Sequence, residues 1–291
     1  MPVSVKHVYN TNDKDIDIGY GTGFRLNLSQ TINLETINGV EYAKYIDEDG
    51  TAHYQKKEGN NYKDEDGLSL TAALDGNNDF RIMDKEHNVL IFQKRENGTI
   101  GQKWHLKEAH NSFGNKIILE LNSDKQADFR IQKVTDAAGD SITFTYDRDL
   151  RLSSITDNNA RTINISYNAN YNLAEITYWD NQKTVYTYDW RNNILTSVKN
   201  IDGSHIDYQY YNEKANRLKT IKQYSPNWEL GNTLDISYGD NVTKFTDNKG
   251  YSNTYTFNNS GQTISISDFG KDSNDIDNAY GKMYQYGERK R

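Results

Sequence analysis

The chain has 291 residues, a formal net charge of −7 and a pI of about 5.4, so we expect neither nucleic acid nor an anionic membrane surface as a partner. It has no cysteine, which excludes disulfides and thiolate chemistry, and no apolar run of the roughly 20 residues that a membrane helix needs. Its 22 Tyr against 2 Pro, among many Thr, Ile and Asn, are typical of strands joined by polar turns.

The first distinctive element is a glycine-rich run at residues 19–23, followed by the strand-like alternation Phe24–Leu28. A dinucleotide-binding loop would need a helix directly after its glycines, and none is indicated here. The pattern therefore predicts a glycine-rich strand or bulge without a cofactor.

Three aspartates precede that run, and Asp13, Asp15 and Asp17 have the spacing of a calcium loop. An EF-hand loop requires glycine at its sixth position and glutamate at its twelfth, where this chain has Ile18 and Phe24. We assign no metal to these aspartates. Three further acidic turns are likewise expected to be solvated hairpin turns. They are Asp47–Gly50, Asp64–Gly67 and the turn with Asp272, Asp275 and Asp277.

The second half contains an internal repeat of strand-like segments, each ending in tyrosine: Ser141–Tyr146, Thr162–Tyr167, Lys183–Tyr188 and His205–Tyr210. The final tyrosines are 21, 21 and 22 residues apart. Large and polar residues alternate within each segment, which predicts strands with one buried face.

A turn and a second short strand follow each tyrosine, at Arg151–Ile155, Asn172–Ile176, Leu195–Val198 and Arg217–Ile221. Each repeat is therefore predicted to be a β-hairpin, with no room for a helix. Weaker copies follow at Thr233–Tyr238, Thr254–Phe257, Gln262–Ile266 and Met283–Tyr286.

These repeats resemble degenerate copies of the YD repeat of the RHS family. The residues that carry the likeness are Tyr146-Asp147 with Arg151-Leu152, Ile155-Thr156-Asp157, Tyr188-Asp189, Asp202-Gly203, and Thr246-Asp247 with Gly250. Most copies lack the glycine of the family's Gly-Arg-Leu. Residues 1–130 are similar to the segment before the repeats in Gram-positive members, through Asp17–Asn27, Asp49–Tyr54 and Tyr62–Leu68.

The resemblance implies an all-β fold, a YD-repeat array of β-hairpins in a curved or spiralling antiparallel sheet, as an open fragment of an RHS shell. It implies a pre-repeat segment at 1–130 continuous with degenerate repeats at 131–291. Its expected partners are the remainder of a larger RHS polypeptide or a toxin domain, with cell-surface glycans as a further class. The start of the chain lacks the regions of an export signal, so an extracellular or cell-wall location rests on the resemblance alone.

The repeat signature residues Tyr146, Asp147, Tyr167, Tyr188, Asp189 and Tyr210 are expected to be structural. No His-Glu-x-x-His or Gly-x-Ser-x-Gly motif is present, and we assign no catalytic residue and no cofactor. Trp179 and Trp190 lie in predicted turns and are the candidate carbohydrate-binding residues. The leading hypothesis is a non-catalytic structural and interaction fragment. The alternatives are a carbohydrate-binding adhesin module and a glycosidase or lyase acting in a concave β groove.

Overall fold

The computed structural model describes residues 2–64, 68–97, 101–122, 130–212, 214–259, 261–271 and 277–284. Residues 65–67, 272, 275 and 285–291, which carry parts of the acidic turns and of the last predicted strand, lie outside these ranges. The chain divides into two compact units, Met1–Gln182 and Lys183–Arg291. The boundary at residue 130, which marks a change of sequence character, stays a prediction.

The first unit consists of antiparallel strands and one 3-10 turn at Thr11–Asp13, as far as the structure describes it. Its strands are β1 (His7–Tyr9), β2 (Phe24–Leu26), β3 (Thr31–Ile37), β4 (Val40–Ile46), β5 (Ala52–Glu58), β6 (Asn61–Asp64), β7 (Thr71–Leu74), β8 (Phe80–Met83), β9 (Val89–Asn97), β10 (Gly101–His110), β11 (Lys116–Leu121), β12 (Ile131–Thr135), β13 (Ser141–Tyr146), β14 (Leu152–Asp157), β15 (Thr162–Tyr167) and β16 (Leu173–Thr177). No described helix is long and apolar enough to cross a bilayer.

Strands β3 to β10 pair in chain order, and β10 also pairs with β3, so these strands form a closed ring. Trp104 of β10 lies opposite Ile32 of β3 at the closure. Eight strands leave an interior that side chains fill. The interior is accordingly packed with buried aromatic and aliphatic residues, among them Phe80 and Trp104, whose rings meet edge to face at 5.1 Å between centroids.

The second unit continues the same pattern of consecutive antiparallel strands. Its strands are β17 (Lys183–Asp189), β18 (Ile194–Lys199), β19 (His205–Tyr211), β20 (Lys214–Tyr224), β21 (Leu230–Gly239), β22 (Val242–Asp247), β23 (Ser252–Phe257), β24 (Thr263–Lys271) and β25 (Asp277–Met283). Residues 285 and 286 of the expected strand Met283–Tyr286 lie outside the described residues, and β25 itself ends at Met283.

The predicted all-β architecture of successive hairpins is confirmed. Strands β13 and β15 have the predicted bounds. Closure of β3–β10 into a ring was not part of the prediction, because alternation reports which face of a strand is buried and not which strand closes a sheet.

Most described hairpin turns begin with an Asp or Asn whose side chain organises the turn. Asp147 Oδ1 accepts hydrogen bonds from the backbone N–H groups of Asp149 and Arg151, both at 2.9 Å. The Leu150 N–H donates to the Asp147 carbonyl at 3.0 Å, and the Asp147 N–H donates to the Arg151 carbonyl at 2.8 Å. This is a three-residue hairpin loop, a type I turn followed by a residue of positive φ.

The same pair of hydrogen bonds recurs in other turns, where a side-chain oxygen accepts the backbone N–H groups of the second and fourth following residues. The residues that begin these turns are Asp47, Asp75, Asn111, Asp136, Asp157, Asn168 and Asp247. The acidic turn at 47–50 is therefore a hairpin turn of this kind. Asp47 Oδ2 also lies 2.8 Å from His53 Nε2, so His53 supports the same hairpin.

The glycine segment, residues 19–23, differs from the prediction, since it forms a series of bends and not a strand. Its three glycines have φ values of +93°, +88° and +78°, which strand backbone does not adopt. The segment is buried against the repeat hairpins. The Thr22 N–H donates to the Tyr171 carbonyl at 3.3 Å, and the Leu152 N–H donates to the Gly19 carbonyl at 2.9 Å.

Gly21 lies against backbone, because a Cβ there would lie 2.7 Å from the backbone nitrogen of Leu173. Gly139 provides the matched control, since its φ is +91° but no atom lies within 4 Å of its Cβ position.

We expect Gly21→Ala to lower the free energy of unfolding by about 2–5 kcal/mol, through overlap with backbone added to an unfavourable φ. Gly139→Ala should cost only about 1–2 kcal/mol, because the φ penalty acts alone. Chemical denaturation of both variants measures the difference. Equal losses would contradict close docking of the glycine segment on β16.

Candidate functional site

Trp179 lies in the turn after β16 and is 56% exposed. The Tyr178 N–H donates to the Gln182 carbonyl at 2.9 Å, which closes this turn. The Arg161 guanidinium carbon lies 5.3 Å from the centre of a Trp179 ring, within cation–π range. Trp179 is thus an accessible aromatic surface that is held on one side by a cation.

A groove of about 540 Å³ runs beside this tryptophan within the first unit. We call it the Trp179 groove. Its repeat side is apolar and consists of Ile142, Ile155, Ile163, Ile165, Ile176 and Tyr178. Val3 and Val5 of the N-terminal segment line the groove as well. The isoleucines occupy alternate strand positions, and Ile155 lies opposite Ile163 in the pairing of β14 with β15.

Two of the ionisable side chains that line the groove form an ion pair, and a third favours its neutral form. Arg161 Nη2 lies 2.6 Å from Asp157 Oδ2, and hydrogen bonding from Arg161 lowers the pKa of this carboxyl group. Burial lowers the pKa of His7, which favours its neutral form at neutral pH. An acid catalyst of glycoside hydrolysis needs a raised pKa, so the Asp157 carboxylate does not suit that role.

Chemically, the Trp179 groove can bind a ligand that has an apolar face and hydroxyl groups. An exposed indole stacks on the C–H face of a sugar ring, and the Asp157–Arg161 pair offers acceptors and donors beside it. Within the described parts of the chain, no three His, Cys, Asp or Glu side chains come together in a group that could hold a metal ion.

Trp190 belongs to the second unit and lies in the turn between β17 and β18. It is 79% exposed, and the Arg191 guanidinium carbon lies 4.9 Å from its ring. Asp189 begins this turn, and its Oδ1 accepts the N–H groups of Arg191 and Asn192, each at 2.8 Å. The turn is one residue longer than that at Asp147, because the Asn193 N–H donates to the Asp189 carbonyl at 3.0 Å.

The repeat tyrosines use their hydroxyl groups to bind backbone. The hydroxyls of Tyr146 and Tyr167 donate to the carbonyls of Ile131 and Leu152, each at 2.8 Å. Tyr210 donates in the same way to the Leu195 carbonyl at 2.7 Å. In all three cases the acceptor lies 15 residues before the tyrosine, so one hydrogen bond recurs at equivalent places of the repeat.

Each repeat tyrosine also lies beside a bulge and opposite a leucine. Tyr146, Tyr167, Tyr188 and Tyr210 pair with Leu152, Leu173, Leu195 and Leu218. Arg151 connects two repeats, because its guanidinium binds Asp147 at 3.1 Å and lies 5.1 Å from the ring of Tyr167. The Tyr-Asp pair therefore carries out two structural tasks, anchoring a strand and starting a turn.

The three N-terminal aspartates have separate partners. Asp13 pairs with Arg25 at 3.0 Å, Asp15 pairs with Lys14 at 2.6 Å, and Asp17 Oδ1 accepts the Gly19 N–H at 2.6 Å. Their alternate spacing therefore serves three local contacts.

The sequence alone did not predict the isoleucines that line the Trp179 groove or the ion pair between Arg161 and Asp157. The available signal is the Ile-x-Ile alternation at residues 163–165, which by itself indicates only that one face of the strand is buried. Its position beside an exposed tryptophan depends on how β13 to β16 pair.

Comparisons with known proteins give structural neighbours only. No family model matches the chain, and no curated protein matches it. One neighbour is the crystal structure of TcdB2-TccC3 without its hypervariable C-terminal region, at 13% identity and a TM-score of 0.45, covering 89% of this chain and 18% of that one. TcdB2-TccC3-TEV gives 12% identity, a TM-score of 0.42 and coverage of 86% and 18%.

Another neighbour is a porin-like protein from Bacteroides uniformis, at 13% identity and a TM-score of 0.28, with 87% of this chain and 94% of that chain covered. The chain spans about a fifth of the length of the TcdB2-TccC3 chains. With every one of these TM-scores below 0.5, the neighbours carry no argument about function.

The buried repeat tyrosines predict a loss of stability at alkaline pH. Burial raises the pKa of Tyr146 and of Tyr167 above the ordinary value of about 10. Below pH 10 both folded and unfolded chains keep these protons and stability is complete. Above pH 10 the unfolded chain loses them first, so the free energy of unfolding falls as pH rises.

Tyr167→Phe should lower the free energy of unfolding by about 1–2 kcal/mol at pH 8, because the Leu152 carbonyl loses its donor, and should flatten the alkaline decline. Tyr171→Phe, at a 56% exposed ring, is the control and should leave both unchanged. Denaturation between pH 8 and 11 measures both quantities. An unchanged slope in Tyr167→Phe would contradict the argument.

Proposed function

We propose that this chain is a non-catalytic structural segment of a larger YD-repeat polypeptide of the RHS family. The observation that carries the proposal is the recurring hydrogen bond from a repeat tyrosine to a carbonyl 15 residues earlier, together with the turns that begin with Asp or Asn. The distinctive residues of the sequence are thus used to hold hairpins together. A segment built in this way extends a β-sheet, and the sheet in turn encloses or presents another domain of the polypeptide.

We further propose that the larger polypeptide is an extracellular or cell-wall-associated shell. It encloses a C-terminal toxin domain or mediates contact between cells, and the partners of this chain are the remainder of that polypeptide or the toxin domain. These features come from the likeness of the repeats to the RHS family.

The last described strand offers a place for such a continuation. Among the residues that the structure describes, β25 pairs with β24 alone, and its exposed side chains include Tyr280 and Met283, at 71% and 88%. A strand edge of this kind presents backbone N–H and C=O groups that pair readily with a further strand.

We expect the chain to co-purify with the segments that flank it in its natural gene when the pieces are expressed together. Amides of β25 should then exchange with deuterium at least tenfold more slowly, because an added strand protects them. Amides of β22, which pairs on both sides, are the internal control. Unchanged exchange in β25 and no co-purification would overturn the scaffold proposal.

A carbohydrate-binding adhesin module is the second candidate, and the Trp179 groove favours it. The exposed indole beside an apolar floor matches the amphipathic surface of a saccharide. A glycosidase or lyase is less well supported, because the carboxyl group at this groove, Asp157, has a lowered pKa.

If the adhesin hypothesis is right, hits on a glycan array should be lost in Trp179→Ala, with at least a tenfold weaker Kd by calorimetry, since stacking on the indole is removed. Phe113→Ala removes another strongly exposed aromatic ring of the same unit and should bind as the wild type does. An array without hits, or equal binding by Trp179→Ala, would eliminate this candidate.

A further inference from the structure

A second cavity, of about 490 Å³, lies in the first unit between the N-terminal segment and the outside of the β3–β10 ring. We call it the Lys103 cavity. Trp104 of β10 is buried in the ring, so its neighbours Lys103 and His105 point to the opposite face. Arg25 of β2 and Arg130, next to β12, line the same cavity.

The cationic side chains of this cavity differ in the partners that they have. Arg25 Nη2 lies 3.0 Å from Asp13 Oδ2, so Arg25 has a carboxylate partner. Arg130 donates to two backbone carbonyls, those of Ile18 at 2.6 Å and Leu150 at 3.0 Å. For Lys103, the described residues provide no carboxylate within ion-pairing distance and no side-chain hydrogen bond.

The position of Lys103 is electrostatically unfavourable. Burial and the neighbouring charges of Arg25 and Lys44 lower the pKa of its amine. Lys44 itself is paired with Glu35 at 3.1 Å, so its carboxylate partner is already engaged. A partly buried ammonium among other cations costs free energy unless an anion joins it.

The rest of the lining restricts the kind of anion. Ser29 and Thr31 place hydroxyl groups at the cavity, where they can donate to an acid group. The apolar part of the wall is larger and consists of Ile16, Ile18, Leu28, Ile46, Leu106, Leu121 and Ile131. An inorganic anion would leave this apolar surface without a partner. The volume lies in the range of about 300–1,000 Å³ that is usual for ligand pockets.

We propose that the Lys103 cavity binds a small aliphatic monocarboxylate, whose acid group pairs with Lys103 and whose hydrocarbon part packs on the isoleucine and leucine wall. Asp13 is occupied by Arg25, and Asp17 is exposed and accepts the Gly19 N–H, so the two lining carboxylates are directed to other groups. This site is independent of the scaffold role and of the Trp179 groove.

Titration of the whole chain with sodium octanoate by calorimetry tests the proposal. We expect saturable binding, a Kd at least tenfold weaker in Lys103→Met, and a Kd within about threefold of wild type in Lys103→Arg, which keeps the charge. Lys116→Met changes an exposed lysine of β11 outside the cavity and should bind as the wild type does. Octanol and inorganic phosphate should each bind at least tenfold more weakly than octanoate.

Without ligand, Lys103→Met should fold and have a raised Tm, because an unfavourable buried charge is removed while the aliphatic stem is kept. Should that variant fail to fold, protection of the Lys103 amine from acetylation by octanoate, followed in the wild type by mass spectrometry, provides the second measurement. Three results would overturn the proposal: no saturable octanoate binding, equal binding by Lys103→Met, or acetylation of Lys103 at the same rate with and without octanoate. Phosphate binding as tight as octanoate would overturn the assignment to an aliphatic acid.

Discussion

The hydrogen bonds that an Asx side chain makes to the backbone of its own turn are the interactions on which the rest of the structure depends. A carboxylate or amide oxygen that accepts two N–H groups fixes the length of the loop, and loop length fixes which residues face each other across the hairpin. At Asp147 this register places Tyr146 beside a bulge and opposite Leu152. The tyrosine then reaches the Ile131 carbonyl of the preceding hairpin, so a local interaction sets a longer-range one.

The side-chain hydrogen bonds also explain how a residue other than glycine can hold the position of positive φ in these turns. In the turn that Asp147 begins, that position is held by Leu150, at a φ of +61°. Ala160 and Tyr171 have φ values of +60° and +63° at equivalent places of their turns. A non-glycine residue there costs about 1–2 kcal/mol. The side-chain oxygen of the Asp or Asn offsets part of that cost in each turn, so the segment folds as a hairpin without a glycine.

Most of the repeat architecture could be predicted from the sequence, because alternation and turn residues act locally. The bounds of β13 and β15 follow from patterns of six residues. Long-range arrangements left no such signal. Neither the pairing of β10 with β3 nor the docking of residues 19–23 is visible in a local pattern, and the glycine run by itself predicts only a strand or bulge. The exposure of Trp179 follows from its predicted turn, whereas its isoleucine neighbours and the surroundings of Lys103 depend on tertiary contacts.

The docking of the glycine segment also has a consequence for synthesis of the chain. Thr22 binds the carbonyl of Tyr171, 149 residues further along. A ribosome that adds about 5–20 residues per second needs about 7–30 s to make that partner. The hairpins between these residues pair with their neighbours in chain order and can form as they emerge, whereas the glycine segment has to wait. The glycine segment is therefore synthesised well before its partner and packs only after that partner has emerged, and a chaperone would meet it during that interval.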